Sequence, residues 1–354
     1  MDVRGLAQAL PKVDVHCHLL GSIDIDTAVD LARRNDSNIG RTVLEAAYRI
    51  KDHDRDDREK AFFEALDMVA LLLRTPEDLS RAVYGVVSHG AAASNLRYLE
   101  LMVNPSALAR TGMSFTAIQE GLIDGAKTAE SDFGVRTNFI AAIMREEPLS
   151  FATEIVDNLI DNRREEFIGI GLDGPEFLDL HRAANFADLY GRAEKHGLKR
   201  TAHYCYFGAD EYDVYTEGLH CDRIDHGYPV LEDAQVLRRA VESGTPFTVC
   251  PSITRLMAGR SLPQYHQAAT HPIGAMLRAG VWIVPGTDDE AMADTDLGTE
   301  YGLVADWYGW TADDLVETAL RSITATWLDE SDQTALRRQF EAEIRQLTTD
   351  TEGM

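Results

Sequence analysis

The sequence is short of positive charge. Its 34 lysines and arginines face 59 aspartates and glutamates, for a formal net charge of −25. Such a surface repels phosphate backbones and anionic bilayers, so neither a nucleic acid nor a membrane surface is an expected partner. Cysteine is scarce too. Cys17, Cys205, Cys221 and Cys250 form no C-x-x-C pair and no even framework, which suits a reduced, cytoplasmic protein rather than a disulfide scaffold. No run of about 18 apolar residues exists, so no membrane span is expected. The opening MDVRGLAQALPKVDVH lacks the charged-then-apolar pattern of a secretory signal. Repeats, low-complexity tracts and Ser/Gly/Pro-rich linkers are also missing, and a single domain over 1–354 is predicted. The oligomeric state is left open.

Against these absences stand 354 residues, 45% of them hydrophobic, ample for a large core. Short apolar runs rich in β-branched residues recur. They are KVDVHCH (12–18), LRYLELMVNP (96–105), VRTNFIAAIM (135–144), FIGIGLDG (167–174), KRTAHYCY (199–206), DRIDHGY (222–228), PFTVCPS (246–252) and VWIVPGTDD (281–289). Helical patterns separate most of them. Eight such alternations predict an α/β fold, a (β/α)8 TIM-type barrel. The gap after the first run is long. Within it Phe62, Leu66, Val69 and Leu73 recur at helical spacing, so a helical insertion is expected over about 22–90. It either covers the barrel mouth as a lid or packs as ordinary helices. A helical C-terminal region is expected over about 311–348, with Thr311 as its cap and Asp314 three residues on.

Barrels of this kind place working residues at the C-terminal ends of strands. The metal-ligand residue types cluster there. His16 and His18 close the first run, and their i, i+2 spacing turns both imidazoles to one face of a strand. Cys17 then points the other way. His203 lies in the fifth run and His226 in the sixth. Asp288 and Asp289 end the eighth. His16, His18, His203 and Asp288 together make a candidate site for one divalent first-row ion, with Zn2+, Fe2+ and Mn2+ all compatible with the donor set.

The ordered motifs resemble those of the adenosine deaminase family of the amidohydrolase superfamily, from about residue 10 to 305. The motifs are PKVDVHCHLLGSI, AFFEALDMVALLLRTPEDLSRAVY, GLDGPE, DRIDHGYPVLED, CPSI and TDDEAMADTDLGTEY. The resemblance implies that His16, His18, His203 and Asp288 hold the metal. It implies that His226 orients the attacking hydroxide and that Asp288 touches both metal and water. Asp289 is then expected to accept a hydrogen bond from the heterocycle, with Gly174 and Glu176 as further substrate contacts.

The sequence departs from the family pattern at two places. The family's H-A-G-E motif reads here His203-Tyr204-Cys205-Tyr206, so Tyr206 stands where the catalytic glutamate is expected. A phenol, with a reference pKa near 10, shuttles protons poorly at neutral pH. Leu20 stands where an aspartate would meet a sugar hydroxyl, and it cannot accept that bond. Tyr204 and Cys205 join Leu20 as expected pocket-wall residues. Three functions are left open, all on a nucleoside-like or N-heterocyclic small molecule. The first is an altered metal-dependent reaction, in its sharpest form oxidation with Fe2+ and O2 in a specialised pathway. The second is zinc-dependent hydrolytic deamination with a rewired proton donor. The third is a ligand-binding pseudoenzyme.

Overall fold

The computed structural model describes residues 2–174, 182–205, 207–259 and 262–352. Its strands are parallel throughout. One arc runs in the order β1 (Lys12–His18), β2 (Leu96–Val103), β3 (Arg136–Met144), β4 (Phe167–Asp173) and β5 (Lys199–Arg200). A second runs β6 (His203–Tyr204), β7 (Ile224–His226), β8 (Phe247–Val249) and β9 (Ile283–Pro285). The arcs meet at both edges. At one, β5 and β6 are two pieces of the same extended segment. At the other, Cys17 bridges Asp288, with the His18 amide donating to the Asp288 carbonyl at 2.6 Å and the Asp288 amide to the His16 carbonyl at 2.8 Å. Taking β5 and β6 as one, eight strands form the barrel that the eight apolar runs predict.

These strands are buried on both faces, which is why they read as continuous apolar runs rather than as alternating ones. All seven residues of β1 are buried. The later strands are shorter than their runs: only three residues of the seventh run, Phe247–Val249, form a strand, and a helix begins at Pro251.

Six helices precede β2: α1 (Val3–Ala9), α2 (Leu19–Ser22), α3 (Ile25–Arg34), α4 (Arg41–Tyr48), α5 (Arg58–Ala70) and α6 (Pro76–Ser94). Helices α3 to α6 fall within or across the stretch of about 22–90 where a helical insertion is expected. The stripe seen in the sequence is the buried face of α5, with Phe62 and Val69 in the core. Helix α6 starts on a capping box in which Thr75 and Asp78 satisfy each other's amides. The same device, Thr311 with Asp314, opens helix Ala312–Ser322 as predicted. A last helix, Glu330–Glu352, closes the described chain. No helix among the described residues is long and apolar enough to cross a membrane.

Candidate metal centre and active site

The C-terminal ends of the strands bring His16, His18, His203 and Asp288 together. One potential donor atom from each lies within 4.8 Å of the others. His226 joins them, its ring centroid 4.8 Å from that of His16 and 5.0 Å from that of His203. Its Nε2 is 3.4 Å from Asp288 Oδ2. His226 and Asp288 share a backbone feature as well. Both have left-handed φ values, 62° and 63°. Side chains rarely adopt this conformation without glycine, and such strain clusters at functional sites.

A second layer of polar groups aims these rings. Thr248 donates its single hydroxyl hydrogen to Asp225 at 2.8 Å, so its oxygen accepts from His16 Nδ1 at 2.7 Å. That fixes the His16 tautomer and leaves Nε2 with a bare lone pair. Asp173 lies between two other rings, with one oxygen 3.3 Å from His18 Nδ1 and the other 3.3 Å from His203 Nδ1. The His203 approach is a charge contact rather than an aligned hydrogen bond. Asp14 accepts from the His16 amide and from the Thr287 hydroxyl, tying β1 to the loop after β9. Gly21 makes room for Asp289: a Cβ there would fall 2.0 Å from Asp289 Oδ1.

Burial and neighbours set the charges. Burial, then the surrounding imidazoles, holds His16 well below its ordinary range. Burial lowers His226 to about 4 although Asp288 pulls the other way. His18 and His203 move up: burial opposes their charge, but the Asp173 carboxylate outweighs it, and His18 reaches about 10. Burial also drives the Asp289 carboxyl well above the carboxylate range. The residues fit a bound cation. His16 Nε2 and His18 Nε2 are buried and have no hydrogen-bond partner among the described residues. Buried polar atoms are seldom left so, and three imidazoles with a carboxylate suit a divalent ion.

These groups form the floor of a cleft with about 990 Å3 of empty space, its open mouth included. The cleft receives Leu20, Gly174, Cys205, His226 and Asp289, all singled out from the sequence. Gly174 has φ +92°, and a Cβ there would lie 2.3 Å from Glu146 Oε2, so the position needs glycine. Tyr204 corrects an expectation. It is fully buried away from the cleft, stacked on Tyr215 with centroids 4.4 Å apart, its hydroxyl donating to the Gly208 carbonyl at 2.8 Å. The reason is strand alternation: with His203 facing the cleft, its neighbour faces out. Glu176 and Tyr206 lie outside the described residues.

Asp173 and Asp225 are absent from the residues predicted from the sequence, although Asp173 closes β4 and Asp225 immediately precedes His226 in β7. Glu59, which lines the cleft from α5, is absent from them too. The same helix presents Phe62, Phe63 and Leu66 to the cleft.

The sequence profile of the adenosine deaminase family matches residues 11–343. The chain belongs to the adenosine deaminase family. Among its relatives is the adenine deaminase of Streptomyces coelicolor, 29% identical over 340 residues, covering 95% of both chains. The aminodeoxyfutalosine deaminase of Streptomyces avermitilis is 30% identical over 332 residues, covering 93% of this chain and 89% of that one. An amidohydrolase of Burkholderia ambifaria, solved with bound zinc, superposes with a TM-score of 0.89 at 30% identity and covers 100% of this chain and 96% of that one. This member of the family keeps a histidine–aspartate metal site at the barrel mouth.

Proposed function

We propose that the protein is a zinc-dependent hydrolase that removes ammonia from an adenine-type aminopurine, either a base or a nucleoside-like compound. One observation carries the reading. His16, His18, His203 and Asp288 converge with partnerless imidazole nitrogens on the floor of a cleft sized for a heterocycle. The zinc in the B. ambifaria structure and the deaminase names of the relatives support the metal and the reaction class.

A divalent ion held by these four residues supplies the Lewis acidity that lets water act as a nucleophile near neutral pH. The chain's own groups do the rest. His226, kept neutral by burial, accepts the proton that water gives up and points the nucleophile at the ring. Asp288 fixes His226 through the 3.4 Å contact. Asp289 holds a buried, partnerless Oδ1 at the cleft wall. That oxygen is placed to hydrogen-bond with the heterocycle. Neither the site nor the relatives favour the Fe2+ and O2 route.

The test is ammonia release by zinc-loaded protein from a panel containing adenine, adenosine and N6-substituted adenines. Release from at least one compound is expected, with loss on chelation and recovery on adding zinc. Silence across the whole panel at full zinc occupancy overturns the proposal.

A further inference from the structure

The outer part of the cleft is built differently from its floor. Helix α5 contributes Glu59, Phe62, Phe63 and Leu66, and Met257 and Leu262 add further apolar wall. The position of Glu59 follows from its neighbour. Arg58 donates to the Leu256 carbonyl at 3.3 Å, which pins the start of α5 to the far end of helix Pro251–Met257. That helix starts at Cys250, whose sulfur lies 3.6 Å from His16, and runs seven residues onward. At about 1.5 Å per residue, its far end is roughly 10 Å from the imidazoles. Glu59 therefore belongs to the outer end of the cleft.

Nothing in the described chain occupies this carboxylate. It takes part in no hydrogen bond and no ion pair among the described residues. Burial alone pushes its pKa up to about 7. Its oxygens are not among the sealed-off polar atoms of the described chain, so they stay open to the cleft. The described lining contains three more carboxylates, Asp173, Asp288 and Asp289, and no lysine or arginine. A neutral hydrogen-bond donor suits such a wall and an anionic group does not.

We infer that Glu59 recognises the outer end of the substrate, accepting a hydrogen bond from a hydroxyl or amino group carried by the heterocycle on the side away from the metal site. The substrate class is then an aminopurine with an uncharged, hydrogen-bond-donating substituent, as in a nucleoside, and not the bare base. This rests on the hydrolytic reading above.

The experiment measures equilibrium binding of hypoxanthine and inosine, base and nucleoside forms of the product, to zinc-loaded protein. Wild type binds inosine roughly tenfold more tightly, the scale of a hydrogen bond to a charged group. Glu59→Ala removes most of that difference and leaves hypoxanthine within about twofold. Glu59→Gln, which keeps an acceptor but not the charge, falls between. Both variants melt at or above the wild-type temperature, because the folded chain loses no partner; a structural role would lower it. Equal affinity of wild type for the two ligands overturns the inference. So does an unchanged preference in Glu59→Ala, or an equal loss for both ligands. If wild type binds neither compound and releases no ammonia from the adenine panel, the hydrolytic reading falls and this inference with it.

Discussion

The two ends of the barrel bury charge in opposite ways. At the N-terminal end Lys12 is fully buried, and its ammonium donates to the carbonyls of Gln8, Leu10 and Ser94 at 3.0, 2.6 and 2.8 Å. Beside it in the core, Arg223 pairs with Glu100 at 2.8 Å, and both side chains are fully buried. Glu100 also accepts from the Trp327 amide, and the Arg223 guanidinium stacks on the Trp327 ring. These groups answer mainly to one another and to the backbone, although Arg223 Nε and Nη2, against the Trp327 ring, have no hydrogen-bond partner among the described residues. At the C-terminal end Thr248, Asp225 and Asp14 are hydrogen-bonded in the same way, yet the cluster they support ends in the Nε2 atoms of His16 and His18, which no hydrogen bond in the described chain satisfies. Polar burial at the bottom holds strands to the C-terminal segment. Polar burial at the top holds a place for something that is not the chain. This is the division of labour expected of such barrels.

The sharpest way to break that contrast is to remove a group from the top. His18→Ala is expected to lower deaminase activity by roughly 10³-fold or more, since the Lewis acid supplies several kcal/mol of transition-state stabilisation. The metal-free variant should melt close to the metal-free wild type. Collapse of the metal-free fold, with metal binding retained, would reverse the assignment of the two ends. Glu100→Ala is the matching cut at the bottom. It strands the buried Arg223 charge and should cost about 3–5 kcal/mol in denaturant unfolding. Zinc content and KM of the molecules that remain folded should stay at wild-type values. A change in KM as large as the stability loss would show that the two ends are not separable.

Asp173→Asn is a smaller cut within the top. Asn keeps the shape but loses the charge that orients His18 and His203. Zinc affinity, measured by competition with a chromophoric chelator, is expected to drop roughly 10–100-fold. Activity at saturating zinc should fall much less. An unchanged zinc affinity would leave Asp173 without a positioning role.

The two ends were unequally legible in the sequence. The floor of the cleft was readable because ligand chemistry and strand geometry coincide. His16 and His18 are two apart, and His203, His226 and Asp288 each follow an apolar run. Asp173 and Asp225 obey the same rule and were readable in principle. Asp173 closes an otherwise apolar run and Asp225 sits one residue before His226, positions where burial without a partner would be costly. Tyr204 departs from its expected place in the pocket wall because side chains alternate along a strand: His203 and Cys205 share a face and Tyr204 takes the other. The role of Glu59 was not readable, since it depends on where α5 lies against the cleft. Helical spacing shows that α5 has an apolar face and says nothing about which residue meets the cleft. The pairing of Arg223 with Glu100 was hidden for the same reason, the two being 123 positions apart in the chain.

The finest test of the contrast is the charge on Lys12. Burial lowers its pKa from the ordinary 10.5 to about 7. Between these values the unfolded chain holds a proton that the folded chain has released. The unfolded state therefore binds more protons, and stability rises with pH from about 7 toward 10. The slope for one proton is at most about 1.4 kcal/mol per pH unit. The three carbonyls around the amine favour its charged form, so the measured slope should lie below that limit. Other groups titrate in the same range, so the useful quantity is the difference between wild type and Lys12→Met, measured in urea at several pH values. That difference should change steadily across the window, while zinc affinity at fixed pH stays the same in both proteins. A difference that stays flat would mean Lys12 remains charged throughout. The bottom of the barrel would then hold a true buried ammonium, satisfied by backbone alone. Its contrast with the partnerless imidazoles at the top would become stronger, because a full charge would be satisfied by the backbone at one end while imidazole nitrogens are left open at the other.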